Sequence, residues 1–488
     1  MRTSILSLSS VNAFDMATQF LIPMVLVRLL SDTDFGAYRT LWLIAGTGVG
    51  VLSLGVPASL YYFVPRLSRD ASAVFVRQAG VYMAIAGSAG AMAAGLWCAW
   101  QAMTPHSSTG IAVFVGLWVF ASLLDVLFSA QQRALDQARL NLLFALLRVG
   151  LVLGAALHWG SWESVLIAHL LLASAKGAAC ALGIGRFATK GIRWSRESVV
   201  EHARYSAPFG ASAGLYLLRG RIDQWLVASA FSAAQFGLYS VAAVFSPIQG
   251  LLRSTINQVV LPEMNRMQSA GEIGAMQALN RRGNLAVALL IFPTLAFIAS
   301  RAEPLLAFLF TADFSGAAPV VRTYCLMLLI ESIEVTMILT AMRQGPYMMR
   351  TDAIALPIVI AVSWIGAQEA GLAGAALGGV VGALIAQAAA FWRASRLTGT
   401  RLARMQDWHV LARILLACGL SVAVVLGVRA MPLPIGAEGP VARLMGLGID
   451  AVCFAAAYWV LVHLLRLAPT VRLAFGPRLS GLLGFRTK

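Results

Sequence analysis

The sequence predicts an all-α polytopic membrane protein of about fourteen transmembrane helices, arranged as two pseudo-symmetric six-helix lobes plus two extra C-terminal helices. Three observations lead there. Of the 488 residues, 59% are hydrophobic and 12% charged, whereas a soluble domain carries roughly 25% charged residues. Apolar runs of about 20 residues, the length that crosses the hydrocarbon of a bilayer, recur from one end of the chain to the other. A short motif also returns at an offset of 201 residues. So much apolar side chain with no polar low-complexity tract excludes a disordered chain. A membrane β-barrel is excluded too, because it would show alternating segments of roughly 10 residues.

The apolar runs and their breaks place helices at 5–30, 37–64, 75–100, 110–132, 141–160, 163–185, 205–230, 236–262, 284–310, 319–342, 352–367, 372–393, 409–430 and 443–466. Arg2 ahead of an apolar stretch gives the first of them the look of a signal peptide. Asn12, Asp15 and Gln19 within it, and the lack of a small-residue cleavage site, make it a spanning helix instead. The stretch 186–204 reads as a cytoplasmic connector with an amphipathic helix on the membrane surface, anchored by Trp194. The domains expected are therefore an N-terminal lobe at 1–185, the connector at 186–204, a C-terminal lobe at 205–393, two further helices within 409–466 and a basic tail at 467–488.

Orientation follows from the positive-inside bias of membrane loops. Breaks after even-numbered helices hold Arg66 and Arg69, Arg133 and Arg139, Arg186 to Arg196, Arg266, Arg281 and Arg282, Arg343 and Arg350, and Arg393 to Arg404. Breaks after odd-numbered helices hold Asp32, Asp34, Glu163 and Glu369. Only Arg301 and Arg429 run against the pattern. Even loops and both termini are thus expected in the cytoplasm. The net charge of +16, with 34 arginines among 37 basic residues, has the same origin. No basic and aromatic surface segment suggests nucleic-acid binding. The five cysteines and six histidines are scattered singly without metal-ligand or redox spacing, so neither metal nor cofactor is expected.

The repeat pairs SDTDFGAY at 31–38 with SAAQFGLY at 232–239. Both copies enter an even-numbered helix from the outer side, six helices apart, so the repeat is parallel, about an axis along the membrane normal. The stretch VRLLSDTDFGAY at 27–38 resembles the first-loop signature of Wzx-type polysaccharide flippases, a branch of the multidrug/oligosaccharidyl-lipid/polysaccharide (MOP) export superfamily. LGVP at 54–57 with FVP at 63–65, RIDQWL at 221–226 with FGLYS at 236–240, and LFTADFSGAA at 309–318 are similar to later stretches of that family. The resemblance implies two lobes around a central cavity that opens alternately to each side. It implies an undecaprenyl-diphosphate-linked oligosaccharide as substrate, moved from the cytoplasmic to the periplasmic leaflet for polysaccharide biosynthesis. Expected partners are that lipid-linked oligosaccharide, membrane lipids, and a polysaccharide polymerase and assembly proteins.

A charge at the bilayer centre costs about 2.5–3.5 kcal/mol even on translocon scales, so deep charges should be paired or face a wet cavity. The candidates for a cationic, diphosphate-binding cavity are Arg148, Lys176, Arg219, Arg221 and Arg253. Arginine suits the task through its bidentate fork and its persistent charge. Two alternatives stand beside this: Arg219 and Asp223, four apart, neutralise each other, and Arg148 and Lys176 snorkel toward the cytoplasmic face. Glu331 and Glu334, three apart on one helix face, and Asp15 are candidates for coupling to H+ or Na+, with pairing to an arginine as the equal alternative. Tyr38 and Arg39 near the outer surface are candidates to touch sugars on release, or interfacial anchors. No nucleophile triad, phosphate loop or large outer loop appears, so an enzyme is not expected. The competing functions are a related exporter of peptidoglycan lipid precursor or drugs and, less favoured, a membrane polysaccharide polymerase.

Overall fold

The computed structural model describes residues 2–186, 195–430 and 440–474, and among these all regular structure is helical. Trp194, the proposed anchor of the connector, and residues 475–488 of the basic tail lie outside the described residues. Contacts gather the chain into two compact units, one ending at Ser240 and the other beginning at Val241.

The first unit starts with α1 (Arg2–Leu29), α2 (Asp32–Leu52), α3 (Val56–Phe63), α4 (Arg69–Trp100), α5 (Pro105–Ala121) and α6 (Leu124–Ala130). It continues with α7 (Ala134–Trp159), α8 (Trp162–Gly185), α9 (Arg196–Arg219), α10 (Ile222–Ala230) and most of α11 (Ala233–Ala242). The helix starts are written in the sequence. Ser31, Ser68, Thr104, Ser161 and Ser195 each cap a helix by accepting a backbone N–H from the first turn. Gly55, at φ 71°, turns the chain between α2 and α3, a left-handed conformation that costs glycine little. The two helices are bent by 46° there.

Residues 205–240, which the sequence reading places at the head of the C-terminal lobe, pack within the first unit. The Ser59 hydroxyl lies 2.7 Å from His202 Nε2, and Gln78 donates to Ser198 at 2.7 Å. A Cβ on Gly210 would fall 1.9 Å from the carbonyl carbon of Leu54, so α9 touches the α2–α3 turn backbone to backbone. Hydrophobic runs locate helices, but they carry no record of which neighbours those helices choose.

The two copies of the repeat meet inside this unit. Phe35 and Phe236, Tyr38 and Tyr239 are the same buried pair in each copy. A Cβ on Gly237 would stand 3.2 Å from the Cα of Gly36, and Arg39 donates to Ser240, 201 positions on, at 2.8 Å (Oγ) and 3.0 Å (carbonyl O). Contact between equivalent positions is what a two-fold relation gives beside its axis. Tyr38 is 5% exposed, against the His169 ring, and Arg39 is committed to Ser240, so neither matches the sugar-release role considered from the sequence.

The second unit holds α12 (Ser246–Ser269), α13 (Ile273–Ser300), α14 (Ala302–Leu309), α15 (Ala318–Glu331) and α16 (Thr336–Ala341). It closes with α17 (Gly345–Thr398), α18 (Leu402–Met405), α19 (Trp408–Ala430) and α20 (Pro440–Leu464). The 54 residues of α17 are two helices. Backbone angles leave the helical region at Ala370 and Gly371, and a Cβ on Gly366 would meet the Gly374 carbonyl oxygen at 2.2 Å. The short Gly-rich break between 367 and 372 is therefore a hairpin whose arms touch through glycines, the close approach that small residues permit between membrane helices. Leu411, Ile414 and Cys418 of α19 and Val462 of α20 are buried against Leu285, Ala288, Leu289 and Phe292 of α13, which seats the two C-terminal helices on that helix.

Among the described residues nine helices are long and apolar enough to cross a membrane, or up to ten when bent α2 and α3 count as one span. The helices that miss this test include α9 and α12, which hold Arg196, Glu197, Glu201, Arg204 and Arg219, and Arg253, Asn257, Glu263 and Arg266. Polar residues inside a membrane helix face protein or water rather than lipid.

Candidate functional site

Side chains at helical spacing build one cavity of about 190 Å3 in the first unit. Asp15 and Gln19, four apart on α1, form one wall; Asn141, Phe144, Ala145 and Arg148 on α7 form the next. Leu172 and Lys176 come from α8, and Trp118, Leu124 and Asp125 from the α5–α6 segment. That segment is interrupted at Ser122, whose hydroxyl turns back to the Val119 carbonyl at 2.7 Å. Gln137 of α7 donates to the Leu124 carbonyl at 3.1 Å. The interruption sets Asp125 at the start of α6.

Four charges line the cavity in two pairs. Arg148 reaches the Asp15 carboxylate at 2.9 Å and its backbone carbonyl at 3.2 Å, and also donates to the Thr18 hydroxyl. Lys176 reaches Asp125 at 2.8 Å and stands 4.6 Å from the centre of the Trp118 ring, within cation–π range. Gln19 donates to Asp15 at 2.7 Å. The snorkelling alternative for Arg148 and Lys176 does not describe this placement, since both side chains end on carboxylates inside the unit. The cavity also differs from the purely cationic one expected, because each cation has an acidic partner.

Other candidates lie elsewhere. Arg219, at the end of α9, is 5% exposed, with its guanidinium 5.4 Å from the Tyr216 ring. Arg221 is the junction residue before α10, and its guanidinium lies against Gly46 of α2, where a Cβ would come within 2.4 Å of Nη1. Asp223 accepts from the Tyr239 hydroxyl at 2.5 Å. None of the three lines the cavity. Arg253, in the second unit, contacts Glu334 at 3.2 Å, donates to Asn284 Oδ1 at 2.9 Å and donates to the Ser332 carbonyl.

The expectation that Glu331 and Glu334 share a helix face is not met. Glu331 ends α15, and Glu334 sits in the non-helical break before α16. Side chains from other helices hold that break: Arg253 binds the Ser332 carbonyl, while Asn280 and Asn284 donate to the Glu334 carbonyl at 3.1 and 2.8 Å. Carbonyls satisfied from outside are what allow a membrane helix to unwind.

Two buried acidic residues escaped the sequence reading, Asp352 of α17, which is 7% exposed, and Asp450. Asp450 of α20 is 1% exposed and binds Arg429 of α19 at 2.8 Å and Arg301, at the α13–α14 junction, at 2.8 Å. These are the two arginines that run against the loop bias. The signal was available: an acidic residue within 443–466, beside two unexplained cations.

A family model described as polysaccharide biosynthesis protein matches residues 25–319, more than half of the chain. The chain belongs to this family. No curated protein matches it in sequence. The chain is similar in fold to lipid II flippase MurJ in an inward closed conformation, with TM-score 0.66, 12% identity, 93% of this chain and 98% of that chain covered. It is also similar to a multidrug resistance MATE family transporter of the MOP superfamily in an inward-facing conformation, with TM-score 0.61, 15% identity, 79% of this chain and 94% of that chain covered. The likeness to both is one of fold. Among the described residues, no group of three or more His, Cys, Asp or Glu side chains is placed to hold a metal.

Proposed function

We propose that the protein is a flippase that moves an undecaprenyl-diphosphate-linked oligosaccharide from the cytoplasmic to the periplasmic leaflet of a bacterial inner membrane, by alternating access. Family membership supports the polysaccharide, and the likeness in fold to a lipid II flippase and a multidrug transporter supports translocation. The observation that carries the reading is the first-unit cavity, where Arg148 and Lys176 stand with Gln19, Asn141 and Trp118. A diphosphate leaves water only if cations and hydrogen-bond donors replace its hydration, and such groups converge here. The proposed topology has fourteen crossings with both termini cytoplasmic, and two six-helix lobes followed by α19 and α20. Arg219, Arg221 and Arg253 are proposed as further cations on the route, used when their present contacts open. A polymerase and assembly proteins are the proposed partners beyond the lipid-linked substrate.

Arg148→Gln and Lys176→Gln are each expected to cut polysaccharide export at least tenfold in a complemented deletion strain, about 1.4 kcal/mol of lost substrate interaction, with membrane abundance unchanged. Normal export by both variants would contradict the assignment. For coupling, Asp15, Glu331 and Glu334 are the proposed groups, Asp15 and Glu334 by way of their ion pairs with Arg148 and Arg253. In the same assay Glu331→Gln should lose the response to collapse of the proton or sodium gradient, and an unaltered response removes it from that role.

A further inference from the structure

We infer that Asp15 and Asp125 are displaceable counter-ions: an incoming diphosphate takes their places on Arg148 and Lys176, so that binding in the first-unit cavity is an exchange of anions. This inference rests on the diphosphate reading above and adds to it how the site loads and unloads.

Exposure within each pair is lopsided. The cation side chains are sunk in the wall, Arg148 at 9% and Lys176 at 11%, whereas Asp15 is 34% and Asp125 48% exposed. The member able to leave is the acidic one, because a carboxylate already in contact with water loses little on turning away. A buried cation cannot follow it without exposing its hydrocarbon stem. The fixed charges are therefore positive and the movable ones negative, an arrangement that presents cations to whatever anion enters.

Arg148 also has donor capacity to spare. Its Nη2 serves Asp15 and Thr18, but its buried Nε has no acceptor. Unsatisfied buried donors are uncommon and costly. A phosphate oxygen lying across the guanidinium edge would satisfy Nε and replace the Asp15 carboxylate together, in the bidentate geometry arginine favours. Size agrees. At about 190 Å3 the cavity is smaller than the roughly 300–1,000 Å3 that encloses a drug-sized ligand, so it takes the head of the lipid rather than the glycan.

The exchange also explains why acidic residues stand in an anion site at all. Two unpaired cations inside a membrane helix bundle would be costly between transport cycles. Carboxylates that return to Arg148 and Lys176 neutralise the site once the substrate leaves, and by competing for the cations they limit how tightly it is held. The site gives up affinity for release.

The test uses the full-length protein in phosphatidylcholine nanodiscs, with inorganic pyrophosphate as probe and binding read by titration calorimetry. Asp15→Asn and Asp125→Asn keep the size of the side chain and remove the competing charge. Each is expected to tighten pyrophosphate binding about tenfold, the worth of one charge-assisted hydrogen bond returned to its cation. Arg148→Gln and Lys176→Gln should weaken it by at least as much. If the arginine and lysine variants lose binding while the aspartate variants bind no tighter than the parent, the carboxylates are structural and the exchange is overturned, with the diphosphate reading intact. If parent and variants alike bind no pyrophosphate, both fall. A thermal melt of each variant in the same nanodiscs separates loss of binding from loss of fold.

Discussion

Asp450→Asn should destabilise the protein by about 3–5 kcal/mol, the usual cost of stripping one partner from a buried ion cluster. Asp450 is 1% exposed and answers two guanidiniums, Arg301 and Arg429, whose side chains are 17% and 32% exposed. Without the carboxylate, two cations stay in a largely dry setting with no counter-charge. The cluster ties α19 and α20 to the α13–α14 junction, so the loss should fall on the seating of the C-terminal helices. The measurement is a thermal melt of detergent-solubilised protein followed by size-exclusion chromatography, in which the variant aggregates well below the parent. Removing all three charges together, as Arg301→Met, Arg429→Met and Asp450→Leu, should recover most of the loss, since well-packed apolar replacements of a buried ion cluster are often neutral or stabilising. A variant Asp450→Asn that melts with the parent would show that the cluster contributes nothing.

Gly36→Val should be comparably damaging, by a different cause. Its Cβ would lie 1.8 Å from the carbonyl oxygen of Ala233 and 2.4 Å from its carbonyl carbon. No rotamer relieves a clash with backbone, so α2 and α11 must part, and the cost belongs at or above the upper end of the about 1–3 kcal/mol typical of overpacking. Parting also breaks the Arg39–Ser240 hydrogen bonds. The outcome expected is a large drop in melting temperature together with loss of export. Gly274→Val offers a control: Gly274 lies in α13 with open space at its Cβ and no left-handed φ, so the substitution should leave the melt nearly unchanged. Equal melting of Gly36→Val and the parent would mean that α2 and α11 do not pack as described.

How much of this was legible beforehand depends on what each feature rests on. Helix placement rests on local hydropathy, and each expected segment falls on a helix or on helices separated by a short break. The breaks themselves were not legible. Glu331 and Glu334 look like neighbours on one helix, and only Arg253, Asn280 and Asn284, brought from other helices, explain why the chain unwinds between them. Depth in an apolar run identified Arg148 and Lys176, because a charge there must have a reason. Depth does not say which carboxylate answers which cation. Asp15 and Arg148 are 133 residues apart, and Asp125 and Lys176 are 51 apart, distances over which sequence spacing carries no geometry. The same limit explains residues 205–240: the repeat suggests a second lobe that begins with them, while their side chains pack on α2, α3 and α4. In the opposite sense, the two exceptions to the loop-charge rule were informative. Arg301 and Arg429 were out of place for one shared reason, Asp450.

Whether the protein carries a diphosphate-linked glycan across the membrane is read by mass spectrometry of lipid-linked glycans in a strain lacking it. A membrane-impermeant reagent applied to intact spheroplasts would report the leaflet. A complete repeat unit should accumulate on the diphosphate lipid and stay inaccessible from outside. A complete unit that reaches the outer leaflet and remains unpolymerised would contradict it and favour a polymerase, and unchanged lipid-linked glycans would reopen a drug exporter of the same fold.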